Sequence, residues 1–168
     1  MQTTKRQGQA GFFLIEALVA LVIFSLGVLG MVAIGGLSLN AQNDAVFRTD
    51  AAALADELAS NIVLDVNRTS LAAFNNGLAA YQHRPLGGDC AFGGPATVDP
   101  VAVAWLNRVT TQGPGLPGLP GATAATQQIL VAPGAAGLGR VQITICWRGP
   151  SDIAMRRHTL VTYVNGLV

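Results

Sequence analysis

Between Ala17 and Leu39 the chain carries 23 consecutive residues without a charged side chain. Wound as one helix, that run is about 34 Å long, close to the thickness of a bilayer's hydrocarbon core. The basic residues Lys5 and Arg6 precede it, and Asp44, Arg48 and Asp50 follow it. Positive charge stays on the cytoplasmic side, so the N-terminus belongs inside and the remainder outside. A cleaved secretory signal peptide is one alternative, but the run is too long for it and no A-x-A-like site clearly ends it. A buried soluble helix is another, but 23 uncharged residues exceed what such a helix usually needs. Membrane insertion is the expectation.

The remaining composition fits a single small domain. The chain has 168 residues, 51% hydrophobic and only 11% charged, and a formal net charge of +1. A chain starting at Phe12 loses Lys5 and Arg6, which leaves eight basic against nine acidic residues. A body so close to neutral argues against strong electrostatic binding of nucleic acid.

Two cysteines are present, Cys90 and Cys146, with no CxxC and no Cys/His cluster around either. In a reducing compartment they read as isolated thiols. The topology places both outside the cytoplasm, where thiols oxidise, and there a Cys90–Cys146 disulfide is expected. The alternative is two unlinked thiols, Cys146 on a sheet face and Cys90 exposed.

Glu16 stands at the start of the apolar run, within GQAGFFLIEALVALVIFSLG, residues 8–27. An ionisable group in a membrane helix costs about 2.5–3.5 kcal/mol at the bilayer centre and less near its edge. Glu16 can snorkel to the headgroups at this depth. A sharper reading needs a cation, and no Lys or Arg lies one helical turn away. Cutting between Gly11 and Phe12 would create one, the new α-amino group of Phe12. A carboxylate on one subunit could then neutralise the terminal amine of another.

Gly11-Phe12-Phe13-Leu14-Ile15-Glu16, after a short basic leader and before a long apolar helix, resembles the prepilin signature of type IV pilins and type II secretion pseudopilins. The motif covers barely a tenth of the chain but is highly specific in this setting. The resemblance implies that a membrane prepilin peptidase cuts after Gly11 and N-methylates Phe12. It also implies that Glu16 aids subunit assembly. Phe13 departs from the threonine commoner at that position. The resemblance divides the chain into a cleaved leader (1–11), a transmembrane and assembly half-helix (12–39) and a periplasmic pilin domain (40–168).

Ala53-Leu54-Ala55-Asp56-Glu57-Leu58, the Asp89-Cys90 loop, a helix holding Trp105 and the ending Val141…Trp147…His158-Thr159-Leu160 resemble the PilV-type minor pilins. Such a resemblance implies a subunit that primes or modifies type IV pilus assembly, at the pilus tip or in the fibre. Its partners would be other minor pilins, the major pilin, the inner-membrane assembly platform and a tip adhesin. Before assembly it would sit in the inner membrane as a single-pass protein. A minor pseudopilin of a secretion system is the nearest rival. A bitopic membrane protein with a periplasmic binding or enzymatic domain is a rival from another class.

Beyond Leu39 the spacing predicts one continuous helix from about Phe12 to Val66. Val46, Leu54, Leu58, Ile62 and Val66 recur at multiples of four, with Asp50 interrupting. Gly27, Gly30, Gly35 and Gly36 weaken that helix by roughly 1 kcal/mol each relative to alanine. They suit close helix packing in a membrane, and Gly35-Gly36 is the weakest point should the helix melt on assembly. Asn67-Arg68-Thr69-Ser70 ends the long helix and caps a short one through Phe74, with Asn76-Gly77 as a turn. Residues 84–95 read as an irregular loop. Asp99-Pro100 starts a helix whose apolar face is Val101, Trp105 and Val109. GPGLPGLPG, residues 113–121, reads as a flexible or extended surface connector. Gln127–Ala132, Arg140–Arg148 and Arg156–Val164 read as strands of an antiparallel meander. Val141, Ile143, Ile145 and Trp147 alternate with polar residues, so one face is buried. The fold class expected is α+β and pilin-like, with a long N-terminal helix packed on a C-terminal antiparallel sheet.

No metal-ligand spacing, nucleophile elbow or phosphate loop occurs. His83 and His158 have no carboxylate or cysteine at a motif spacing and read as a surface and a sheet-edge histidine. Arg156-Arg157 reads as a solvated hairpin edge. No catalytic residue, metal or cofactor is expected.

Overall fold

The computed structural model describes residues 10–113, 116–134 and 137–166, with backbone alone at 10–12, 35–40, 112, 116 and 117. Lys5 and Arg6 of the expected leader, and Pro114-Gly115 of the connector, lie outside the described residues. The chain divides into two compact units, residues 1–43 and 44–168. One α-helix, α1 (Ala10–Asp65), runs through both and is unbroken at Gly35-Gly36. It starts two residues before the expected Phe12.

In the second unit α1 presents Ala51, Leu54, Ala55, Leu58 and Ile62 to the core, and Val66 joins them directly after its end. These lie three or four residues apart, so one helix face buries them together. Val46 is not among them: 54% of its surface is exposed, and Phe47 packs against the core instead. Each large aliphatic side chain buried here contributes about 1.5–3 kcal/mol.

The helix ends where Arg68 takes up its last carbonyls. The guanidinium donates to the C=O of Val63, to that of Val66 at 3.0 Å and to that of Asn165 at 3.0 Å. α2 (Leu71–Ala80) follows, with the Ser70 hydroxyl accepting from the Ala73 N–H at 3.1 Å as its N-cap. The cap is as expected, but Asn76-Gly77 is not a turn. Both residues lie within α2, because Phe74 and Leu78, one turn apart, are fully buried. They pack against two glycines, Gly139 and Gly166. A Cβ at Gly139 would lie 2.1 Å from Leu78 Cδ2, and one at Gly166 would lie 2.4 Å from Phe74 Cγ.

Residues 84–95 are more ordered than expected. β1 (Leu86–Gly88) pairs antiparallel with β2 (Ala91–Gly93), Gly88 opposite Ala91, across a two-residue turn of Asp89 and Cys90. Both turn residues have positive φ, 49° and 66°, as a type I′ hairpin turn requires. α3 (Pro100–Thr110) begins as the sequence predicts, with Asp99 Oδ1 accepting from the N–H groups of Val101 and Ala102 at 2.9 and 3.0 Å. Trp105 buries its ring and donates Nε1–H to the Leu54 carbonyl at 2.8 Å, tying α3 to α1.

The connector carries a small ladder, β3 (Gln112–Gly113) with β4 (Leu116–Pro117). Its far end is not a surface loop. Leu119 is buried, its N–H donates to the Val109 carbonyl at 2.8 Å, and the Pro120 carbonyl accepts from the Arg148 N–H at 2.8 Å.

A single turn of 3₁₀ helix, Ala124–Thr126, leads into the sheet. β5 (Gln127–Ala132), β6 (Leu138–Trp147) and β7 (Arg156–Asn165) form a three-stranded antiparallel meander in the order β5-β6-β7. Val141, Ile143, Ile145 and Trp147 are buried on one face, as their period-two spacing predicts. Thr144 and Cys146, on the other face, are buried as well. The fold is therefore α+β, an N-terminal apolar helix with a C-terminal three-stranded antiparallel sheet.

Candidate functional site

Two surfaces carry the residues that the sequence singles out, one in each unit. The first is the apolar part of α1. Phe13–Ile34, 22 residues with a mean hydropathy of 2.8, is long and apolar enough to cross a membrane, and none of it is buried within the chain. Its Ser25 hydroxyl donates to the Leu21 carbonyl at 2.7 Å, so this polar group is satisfied inside the helix, as a lipid environment demands.

Glu16 shares one helix face with Ile15, Val19, Ala20 and Ile23. Among the described residues no cationic side chain lies within ion-pair distance of it. Gly11 and Phe12 lie in the first turn of α1. The side chain of Phe12 lies outside the described residues. The first N–H groups of any helix lack intrahelical partners and carry partial positive charge. A chain beginning at Phe12 would add an ammonium to that end, four residues from Glu16.

The second surface surrounds the disulfide. Cys90 and Cys146 are bonded, with their Cα atoms 5.8 Å apart. Cys146 sits in β6, where the Gln127 side chain grips its backbone at both ends. Gln127 Oε1 accepts from the Cys146 N–H at 3.0 Å, and Nε2 donates to its C=O at 3.0 Å. Cys90 sits at the hairpin turn. With Phe92, Cys146 and the half-buried Met155 it forms a small apolar cluster separate from the main core. Beside it opens a cleft of about 360 Å³ lined by Asp89, Cys90, Ala154, Met155 and Arg157. Sequence spacing gave no sign of the Gln127 clamp, because a glutamine at a strand start carries no motif.

The Arg156-Arg157 pair is engaged in ion pairs. Arg156 donates to Asp152 Oδ1 through Nε at 3.0 Å and Nη2 at 2.7 Å, and lies 3.8 Å from Asp44 Oδ1. Arg48 completes the group with Asp44 Oδ2 at 2.9 Å. The hydrogen bonds from Arg156 hold the Asp152 carboxyl below its ordinary pKa, and Asp152 in turn raises that of Arg156. The network fastens α1, at the first residue of the second unit, to the loop between β6 and β7. Arg157 reaches Asp89 at 3.9 Å.

His83 is not a surface residue, contrary to expectation. It is 1% exposed and joined to Ile129 of β5 by reciprocal backbone hydrogen bonds of 3.0 Å. Its Nε2 lies 2.8 Å from the Ala124 carbonyl, and its Nδ1 accepts from the Thr97 N–H at 3.2 Å. Burial pushes its pKa below the ordinary histidine value, aided by the nearby Arg84 charge, while the Ala124 carbonyl pulls the other way. His158 lies on β7, opposite Ile145. Strands β5 and β7 flank β6 on opposite sides, so the fold does not bring the two histidines together. Among the described residues no three His, Cys, Asp or Glu side chains gather into a metal-binding group.

No protein-family model, curated protein or solved structure matches the chain.

Proposed function

We propose that this chain is a pilin-like structural subunit, a minor pilin that primes or modifies type IV pilus assembly. The observation that carries the proposal is the hexapeptide Gly11-Phe12-Phe13-Leu14-Ile15-Glu16 at the start of a helix apolar enough to span a membrane. The helix, then loops, then antiparallel sheet follow in the order that the resemblance implies.

In this reading a prepilin peptidase removes residues 1–11 and methylates Phe12. The apolar half of α1 holds the subunit in the inner membrane, with the rest of the chain in the periplasm. Glu16 then pairs with the terminal amine of a neighbouring subunit as the helices leave the bilayer side by side. In a hydrocarbon or protein interior that pairing is strong, because each partner is otherwise a desolvated charge. Gly27 and Gly30 have open space at the position of a Cβ, which lets another helix approach closely. Other minor pilins, the major pilin, the assembly platform and a tip adhesin are the proposed partners.

Deleting the gene tests the assignment. Loss of surface pili and of twitching, restored by wild-type chain and poorly by Glu16→Ala, is the expected result. Normal pili with failed exoprotein secretion would assign the chain to the minor pseudopilins instead. Normal pili and normal secretion would overturn both.

A further inference from the structure

We propose that Cys90 is a thiol-exchange site, the one end of the Cys90–Cys146 disulfide that an incoming thiolate attacks, and that the attack releases the β1–β2 hairpin. The two sulfurs sit in different surroundings. Cys146 is 0% exposed, in the middle strand of the sheet, with its backbone fixed by Gln127. Cys90 is 8% exposed and is one of the residues that line the cleft, together with Asp89 and Arg157, whereas Cys146 is not among them.

In the proposed exchange a thiolate enters by that cleft, which Cys90 lines and Cys146 does not. A new S–S bond forms between it and Cys90, the Cys90–Cys146 bond breaks, and the electron pair goes to Cys146, which takes a proton from water. A second thiol attacks the mixed disulfide and frees Cys90. Two thiols are oxidised to one disulfide while the protein disulfide is reduced to two thiols. The co-reactant is a thiol, small or on a protein.

The hairpin is poised to move when its tether is cut. All of β1 is exposed, and only Phe92 of β2 is buried. Arg84, Gly87, Asp89, Cys90 and Gly94 all have positive φ, a conformation that three of these five side chains disfavour. The segment is pinned at its base, where the Arg84 N–H donates to the Pro95 carbonyl at 2.9 Å and Gln128 Nε2 donates to the Arg84 carbonyl at 3.0 Å. At its tip the disulfide is the covalent hold.

Full-length protein in detergent, treated with reduced glutathione under folding conditions and quenched in acid, tests this. The expected adduct lies on the Cys90 peptide, and the reduction rate rises in proportion to glutathione. Amide exchange over residues 86–94 rises by at least about tenfold on reduction, with β6 and the 44–65 part of α1 unchanged. An adduct on Cys146, a rate that does not rise with glutathione, or faster exchange spread through β5–β7 overturns the proposal.

Discussion

The imidazole Nδ1 of His83 accepts a hydrogen bond from the backbone N–H of Thr97 at 3.2 Å, while its Nε2 faces the Ala124 carbonyl at 2.8 Å. The ring is thereby fixed as the neutral tautomer with its proton on Nε2. A second proton would have to enter on Nδ1, against an N–H donor. Burial and the Arg84 charge already lower the pKa in the folded state. In the unfolded chain His83 takes its proton near the ordinary value of about 6.5. Below that pH the unfolded state binds more protons, so stability falls as pH falls. Its contribution is complete above about pH 6.5 and is lost on acidification toward the lowered folded pKa. Urea midpoints of the detergent-solubilised protein should drop between pH 7 and pH 5, and His83→Gln should flatten that slope. A wild-type midpoint that is level across this range would show that the ring is not held neutral.

Trp105 joins α3 to α1 through its ring and its hydrogen bond to Leu54. Trp105→Phe keeps most of the ring and loses the bond, for about 0.5–1.5 kcal/mol. Trp105→Ala also opens a cavity and should cost about 3–5 kcal/mol. Denaturant unfolding monitored by circular dichroism measures both. Equal losses would mean that the hydrogen bond, not the packing, dominates.

Arg68 binds three carbonyls, Val63 in the last turn of α1, Val66 just past its end and Asn165 at the end of β7. Arg68→Met should cost about 1.5–3 kcal/mol, the range for bonds to a charged donor. Hydrogen exchange should quicken at residues 62–66 and 163–166 and nowhere in α3. An unchanged exchange pattern would contradict this capping role.

Gly139 lies under Leu78, with no room for a Cβ. Gly139→Ala should force α2 outward and destabilise the domain by about 1–3 kcal/mol, as overpacking does. Pairing it with Leu78→Ala should recover part of the loss. A double variant no better than the sum of the two singles would rule out this contact as the cause.

These contacts also show where sequence reasoning succeeds. The long helix, the Ser70 and Asp99 caps and the three strands rest on local signals: period, capping chemistry and β-branched runs. Those signals act within a few residues, so they are visible in one dimension. The Asn76-Gly77 pair carries an equally clear local turn signal, yet burial of Phe74 and Leu78 over Gly139 and Gly166 overrides it. The hairpin at 86–93 was hidden for another reason. Its turn has Cys90 after Asp89 where glycine is usual, and a disulfide to a residue 56 positions away holds it. His83 looked like a surface residue because its partners, Ala124, Thr97 and Ile129, are distant in sequence. The proposed assembly residues are legible for the opposite reason: Gly11, Phe12 and Glu16 lie within six residues. The Gln127 clamp on Cys146 has no such compact signature.

The central claim is that this chain is a prepilin cut after Gly11, and intact mass with N-terminal sequencing of membrane-extracted protein tests it most directly. In cells with an active prepilin peptidase, the account predicts a mature chain that begins at Phe12 and carries one added methyl group on its nitrogen. A bulky residue in place of Gly11 should leave the leader attached. Wild-type protein that retains residues 1–11 in those cells would contradict the account.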